Sequence, residues 1–167
     1  MPLFSTDKFQ IEIERNWKNI YNISETVIPP DEREVAAMID QIMEYNKKFV
    51  ENKGYEPFLT SKYPDKKLAI LTCMDTRLIE LLPAALGIKN GDAKIIKNAG
   101  GTMVHPYGSV VRSLLVGILE LGVEEVMVIG HTDCGVQGMD GKEMLELLEK
   151  RGIDKQHIDI VRHSGIN

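Results

Sequence analysis

The side chains best suited to chemistry are two cysteines, a histidine and an acid–base pair, in two short segments. Cys73 opens a Cys-x-Asp-x-Arg segment that contains Asp75 and ends at Arg77. His131 opens a His-x-x-Cys segment that ends at Cys134. Two thiolates and one imidazole are ligands that suit zinc, and three protein ligands leave a fourth position open, as in catalytic zinc sites. The residue types therefore predict an open zinc site formed by Cys73, His131 and Cys134.

The predicted strands explain how these distant segments can meet. Residues 68–71 form an apolar run typical of a buried strand, residues 126–129 form another predicted strand, and each cysteine follows one of them. The carboxyl ends of parallel strands share one edge of a sheet, where open α/β sheets place their ligands. The alternative is that both cysteines are small buried residues and His131 lies in a turn. That alternative leaves unexplained why both cysteines follow strands, so we favour zinc.

From residue 66 onward, short apolar runs alternate with helical patterns. Strands are predicted over 68–71, 93–96 and 126–129, and helices over 78–86, 109–121 and 142–151. This alternation is typical of a parallel sheet with helices on its faces. We expect the α/β class, with a short, mainly parallel sheet flanked by helices.

The first 67 residues have a different pattern. Apolar residues at three- and four-residue spacing predict an amphipathic helix over 31–50, with Asp31 at its start and an end near Gly54. A weaker helical pattern covers residues 9–21. We therefore predict an N-terminal helical arm over residues 1–67 and a zinc-binding α/β domain over residues 68–167. The apolar face of the arm exceeds what so small a sheet can cover, which predicts a dimer or a larger even-numbered oligomer.

Composition excludes several classes of protein. The chain has 167 residues, of which 43% are hydrophobic and 27% charged, as in ordinary globular domains and unlike disordered chains. The net charge of −5 argues against a nucleic-acid partner. No apolar stretch approaches the length of a membrane span, and the N-terminus lacks the pattern of a secretory signal. We expect a cytoplasmic protein.

Three motifs in fixed order carry a resemblance to a known family. Cys73-x-Asp75-x-Arg77, an Asn-Ala-Gly segment at residues 98–100, and His131-x-x-Cys134 resemble the β-class carbonic anhydrases. The resemblance runs from about residue 68 to 135, and more weakly to 165. It implies one Zn²⁺ per chain, bound by the two cysteines and the histidine, that hydrates carbon dioxide reversibly to bicarbonate. It also implies dimers, with N-terminal helices reaching a neighbour.

The resemblance implies roles for Asp75 and Arg77 as well. Asp75 would accept a hydrogen bond from the reactive hydroxide, and Arg77 would keep Asp75 ionised and in place. In some family members this aspartate binds the zinc itself, and the sequence leaves both states open. Two other functions also stay open. One is hydrolysis of carbonyl sulfide or carbon disulfide at the same site, and the other is zinc binding without catalysis, which the presence of both Asp75 and Arg77 disfavours.

Several neighbouring residues have weaker expectations. Gly100 and Gly101 are expected to form a tight turn, and one of them to offer an N–H to the substrate. His105 is a candidate proton relay, although a surface loop histidine is the commoner case. Asp133 is interpreted as a turn residue. Two features differ from the family: Gly101 stands where Asn is frequent, and the family continues past residue 167 into a helix and a last strand. The chain is therefore either truncated or a minimal domain, and the completeness of its sheet and its activity stay open.

Overall fold

The computed structural model describes residues 32–163 of the chain, with their side chains from residue 38 onward. The helical pattern predicted over 9–21 and the predicted helix start at Asp31 lie outside the described residues. The elements in chain order are α1 (Glu32–Glu51), β1 (Leu68–Cys73), α2 (Leu78–Leu86), β2 (Ala93–Asn98), α3 (Ser109–Glu120), β3 (Glu125–Ile129), α4 (Gly141–Lys150) and α5 (Lys155–His163). The chain is therefore α/β, as predicted.

The described residues form two compact units. One contains residues 32–59 and Leu145–Arg162, and the other contains Thr60–Met144 and His163. The sheet and all the predicted site residues belong to the second unit. The domain boundary expected after residue 67 stays a prediction.

Among the described residues, the sheet has three parallel strands in the order β2-β1-β3. The register aligns Leu68 with Ala93 and Glu125, one on each side. The central strand β1 is buried from its second residue to its last, which explains why its sequence is an apolar run without alternation. The chain leaves β1 through α2 towards β2, and it returns through α3 to β3 on the other side of β1. The carboxyl ends of β1 and β3 therefore lie at a topological switch point, where such sheets place ligands.

The local sequence explains where α2 ends. Gly87 follows its last residue with φ 62°, a left-handed conformation that glycine adopts without steric cost. The N–H groups of Gly87 and Ile88 then bond to the carbonyls of Ala84 and Pro83, at 3.3 and 3.0 Å. On its inner face α2 buries Leu78 and Leu82, which pack with Ile70 and Cys73.

The final helix differs from the sequence-based expectation. The sequence pattern predicts no helix beyond residue 151, but residues 155–163 form α5, in which Ile158 is 5% exposed. Asp154 begins this helix, because its Oδ1 accepts the N–H of His157 at 3.1 Å and its Oδ2 lies beside His157 Nδ1. His157 therefore stabilises a helix start, and its proximity lowers the pKa of Asp154.

Large apolar side chains are exposed on two helices. On α1 these are Met38, Ile42, Met43 and Tyr45, and on α3 they are Leu115, Val116, Ile118 and Leu119. Within the part of the chain that the structure describes, no helix is both long enough and apolar enough to cross a bilayer.

Candidate metal centre

The fold brings the two cysteines together at the switch point. Cys73 is the last residue of β1 and is 4% exposed, packed in the same cluster as Ile70 and Leu78. Cys134 lies in the loop that follows β3 and packs against the same cluster. The hydroxyl of Thr72 donates to the carbonyl of Ile129 at 2.9 Å, which joins the ends of the two strands directly below the site.

The spacing of the ligand atoms fits a tetrahedral metal. The sulfurs of Cys73 and Cys134 lie 3.7 Å apart and form no disulfide. Two sulfurs at about 2.3 Å from one tetrahedral zinc lie about 3.8 Å apart. One ring nitrogen of His131 completes the group, and all the ligand atoms lie within 4.8 Å of one another. The donor set and its spacing therefore fit zinc.

His131 presents a free nitrogen to this group. Its Nδ1 lies 2.8 Å from the carbonyl oxygen of Thr132, which can only accept, so Nδ1 carries a hydrogen. In the neutral ring Nε2 then keeps its lone pair. Nε2 is buried without a hydrogen-bond partner, which is costly unless the nitrogen has a ligand to bind. Metal-binding histidines are commonly oriented in this way, by a carbonyl that accepts a hydrogen bond from the ring nitrogen that does not bind the metal.

The surroundings of Cys73 favour its thiolate. The neighbouring His131 ring is the main cause that lowers the pKa of Cys73 to about 7, and hydrogen bonds from the backbone of Asp75 and Gly100 lower it further, against the effect of burial. The closeness of Cys73 in turn raises the pKa of His131. Because the thiolate is the form that binds metals, the site is prepared for a cation near neutral pH.

Arg77 holds Asp75 beside the ligand group. Asp75 Oδ1 accepts the backbone N–H and the Nε–H of Arg77, both at 2.9 Å, and its Oδ2 accepts from Nη2 at 2.8 Å. These hydrogen bonds hold the pKa of Asp75 well below its ordinary value. Oδ2 also lies 3.9 Å from Nε2 of His131. An ionised carboxylate therefore lies beside the group of atoms that could hold a metal.

A turn between β2 and α3 packs against the backbone at the end of β1, beside the site. The side-chain amide of Asn98 spans the turn, because it donates to the carbonyl of Thr102 at 2.6 Å and accepts the N–H of Thr102 at 3.0 Å. Gly101 lies inside the turn with φ 64°. A Cβ at this position would lie 2.9 Å from the carbonyl carbon of Thr72 and 3.1 Å from the nitrogen of Cys73. The turn thus rests directly on the backbone of a predicted ligand.

Replacing Gly101 with alanine should destabilise this region by more than its backbone conformation alone accounts for. Gly87→Ala is the matched control, because Gly87 has nearly the same φ, 62°, but nothing within 4 Å of its Cβ. We expect Gly87→Ala to lower the free energy of unfolding by about 1 kcal/mol and Gly101→Ala by about 2–4 kcal/mol. Urea unfolding checks this. Equal losses would mean that Gly101 can take a side chain without displacing Cys73.

The five residues that the sequence singles out lie together, and a sixth residue contacts them. Cys73, His131 and Cys134 converge, and Asp75 and Arg77 lie beside them. Asp133 was interpreted as a turn residue, whereas its carboxylate and carbonyl both accept hydrogen bonds from Arg77. Its position between two predicted ligands was the available signal. His105 is exposed, and its role as a relay stays a prediction.

The sequence of this chain is similar to those of several known proteins. The sequence profile of the family described as carbonic anhydrase matches residues 68–163. A Bacillus subtilis protein named "Putative carbonic anhydrase YtiB" is 51% identical over 131 residues, covering 78% of this chain and 70% of that protein. A carbon disulfide hydrolase of Saccharolobus solfataricus is 36% identical over 96 residues, covering 58% of this chain and 45% of that protein.

The fold agrees with these sequence matches. The crystal structure of β-carbonic anhydrase isoform I from Trichomonas vaginalis aligns with a TM-score of 0.66 at 36% identity, covering 75% of this chain and 69% of that one. The chain therefore spans from just under half to 70% of the length of these three proteins. The family profile covers more than half of the chain, and it includes the Cys73, His131 and Cys134 group. This chain belongs to the β-carbonic anhydrase family.

Proposed function

We propose that this protein binds one zinc ion through Cys73, His131 and Cys134 and catalyses the reversible hydration of carbon dioxide to bicarbonate and a proton. The observation that carries the proposal is the buried, unpartnered Nε2 of His131 beside two thiols whose sulfurs are 3.7 Å apart. Zinc in such a site lowers the pKa of a coordinated water towards about 7 and so supplies a nucleophile at neutral pH.

Asp75 orients that nucleophile. The pKa of Asp75 is held below its ordinary value, so the carboxylate is ionised at neutral pH and only accepts hydrogen bonds. Oδ1 already accepts two N–H groups from Arg77, whereas Oδ2 accepts one and faces the ligand group. A nucleophilic water that contacts Oδ2 must therefore donate its hydrogen to it. This hydrogen bond fixes the direction of the lone pair on the water oxygen that attacks the carbon of the substrate.

Arg77 has a second effect on the site. It holds Asp75 by three hydrogen bonds, so the carboxylate stays paired and does not fill the metal's open position. This pairing would leave a metal held by the three ligands free to take a further ligand from solvent. Hydration also requires the departure of a proton, and the exposed His105 is the candidate for that transfer.

The test is to measure zinc content and carbon dioxide hydration on one purified sample. We expect about one zinc per chain and stopped-flow hydration that disappears after chelation and returns when zinc is restored. Bound zinc without hydration would favour a noncatalytic role. The absence of bound zinc, with the protein folded and reduced, would refute the proposal.

Carbon disulfide hydrolysis is the second candidate function. It is favoured by one observation, the 36% identity to a carbon disulfide hydrolase. The same donor set and the same carboxylate serve either substrate, since both are linear molecules attacked at a central carbon. We rank carbon dioxide first because the higher identity, 51%, is to a protein named for that activity. Sulfide release from carbon disulfide, assayed beside hydration, decides between them.

Zinc affinity should fall as the pH falls through neutrality. The pKa of Cys73 is about 7, so the thiolate is present above this pH and lost below it. The neighbouring Cys73 raises the pKa of His131, so protonation removes this second ligand at a higher pH than for an ordinary histidine. From pH 8 to pH 6 we expect zinc to bind at least about tenfold more weakly. Competition with a chelator of known pH dependence measures this, and an unchanged affinity would contradict it.

The protein should associate into a dimer or a larger even-numbered oligomer. The exposed apolar side chains on α1 and α3 support this, and Leu119 on α3 is 74% exposed. Light scattering at micromolar concentration should give at least twice the mass of one chain, and Leu119→Glu should shift the population towards monomer. Ile160→Glu on α5 is the matched control, since Ile160 is also exposed but follows a charged residue, Asp159. A stable monomer would refute the prediction.

A cytoplasmic location also stays a prediction.

A further inference from the structure

Arg77 is held on both edges of its planar guanidinium group. One edge, Nε and Nη2, donates to the two carboxylate oxygens of Asp75. The other edge faces Asp133: Nη1 donates to Oδ2 at 3.0 Å and Nη2 donates to the backbone carbonyl at 2.8 Å. Four of the five N–H groups of the guanidinium are thus used by two residues. The group cannot turn without losing bonds to both.

The backbone of Asp133 is adapted to this contact. Asp133 has φ 54°, a left-handed conformation that aspartate tolerates better than most residues. With this backbone, its carboxylate and its carbonyl both meet Arg77. The side chain of Asp133 is 90% exposed, and exposed ion pairs contribute little to folding stability. The contact therefore affects the orientation of the Arg77 side chain and contributes little to the stability of the fold.

The contact also joins two segments of the site. Arg77 belongs to the segment that begins with Cys73, and Asp133 lies between His131 and Cys134. We propose that Asp133 is a positioning residue: it fixes the orientation of Arg77, and through Arg77 it keeps Asp75 beside the metal ligands and out of the open position. The inference rests on the proposed function for its kinetic test and on geometry alone for its other test.

The first test follows the Arg77 guanidinium in the metal-free protein by nitrogen-15 NMR. In wild type we expect slow rotation about the Cζ–Nη bonds. Asp133→Gly removes the carboxylate and keeps the left-handed backbone accessible, so rotation should become at least about fivefold faster. Asp133→Asn keeps an oxygen acceptor and should fall between the two. Arg162, whose Nη1 donates to Asp159 at 2.7 Å, is an internal reference that should not change.

The second test is a double-mutant cycle on hydration by the zinc-loaded enzyme. Asp133→Gly should lower kcat/KM by roughly five- to thirtyfold, mostly through kcat, with zinc content unchanged. In the Arg77→Ala background the same change should have no further effect, because Asp133 acts only through Arg77. Asp159→Asn removes a carboxylate from another exposed arginine pair and should leave the rate unchanged.

The outcomes separate the two claims. If wild-type protein with bound zinc hydrates no carbon dioxide, the proposed function fails, and the NMR comparison still decides the role of Asp133. If Arg77 rotates equally slowly in wild type and Asp133→Gly, the positioning role is refuted even when hydration is fast. Losses that multiply fully in the double variant would also refute it, because Asp133 would then act independently of Arg77.

Discussion

Replacing Cys73 with serine is expected to remove nearly all of the zinc and with it the hydration activity. Serine is close to cysteine in size, but its hydroxyl is not ionised at neutral pH, so the site loses one of two anionic ligands. The pKa of Cys73 is already lowered to about 7 by His131, which shows how strongly this position favours an anion. We expect bound zinc to fall from about one equivalent to less than about a tenth after dialysis against a weak chelator.

Met74→Ser is the matched control for this prediction. Met74 is the next residue along the chain, and its side chain is 61% exposed, so the same new residue there should leave zinc and the fold intact. Cys134→Ser should behave like Cys73→Ser, because the two sulfurs lie 3.7 Å apart in one group. Far-ultraviolet circular dichroism confirms that each variant is folded. Full zinc occupancy in folded Cys73→Ser would remove this residue from the ligand set.

The convergence of Cys73, His131 and Cys134 was predictable because its determinants are local. Each cysteine follows a short apolar run, and the carboxyl ends of parallel strands necessarily share an edge of the sheet. Neighbouring strands then bring Cys73 and Cys134 together, whichever helices connect them. The strand order supplied the remaining condition, because β1 is central and β3 is directly paired with it.

The contact between Arg77 and Asp133 was not predictable in the same way. It depends on the left-handed backbone at Asp133 and on the direction of a long side chain, and neither follows from residue spacing. The helix α5 was missed for another reason. Its sequence is mostly polar, and the single residue Ile158 carries its buried contact. Its start depends on Asp154, a residue type that is equally common in turns.

The Asp75–Arg77 pair gives the second large effect. Asp75→Asn keeps the size of the side chain but loses its charge, and its amide nitrogen can donate where only an acceptor is useful. Arg77→Ala removes the two hydrogen bonds that the guanidinium donates to Asp75 and leaves only the one from the backbone N–H. With zinc content unchanged, we expect each variant to lose roughly ten- to a thousandfold in hydration rate, about 1.4–4 kcal/mol of transition-state stabilisation. Stopped-flow hydration with parallel zinc analysis measures this.

The pH profiles of the two variants should differ, because they fail for different reasons. Asp75→Asn has lost the acceptor, and no pH restores it. In Arg77→Ala the carboxylate remains and is ionised at neutral pH, but it keeps only its bond from the backbone N–H of residue 77, so it could move onto a bound metal. Hydroxide competes better with a carboxylate as the pH rises. Arg77→Ala should therefore recover part of its activity above pH 8, whereas Asp75→Asn should stay low.

Arg162→Ala, which breaks an exposed pair in α5, is the control and should match wild type at every pH. Wild-type rates in both site variants would make Asp75 and Arg77 an ordinary structural ion pair, and hydration would then depend on the metal ligands without help from this carboxylate.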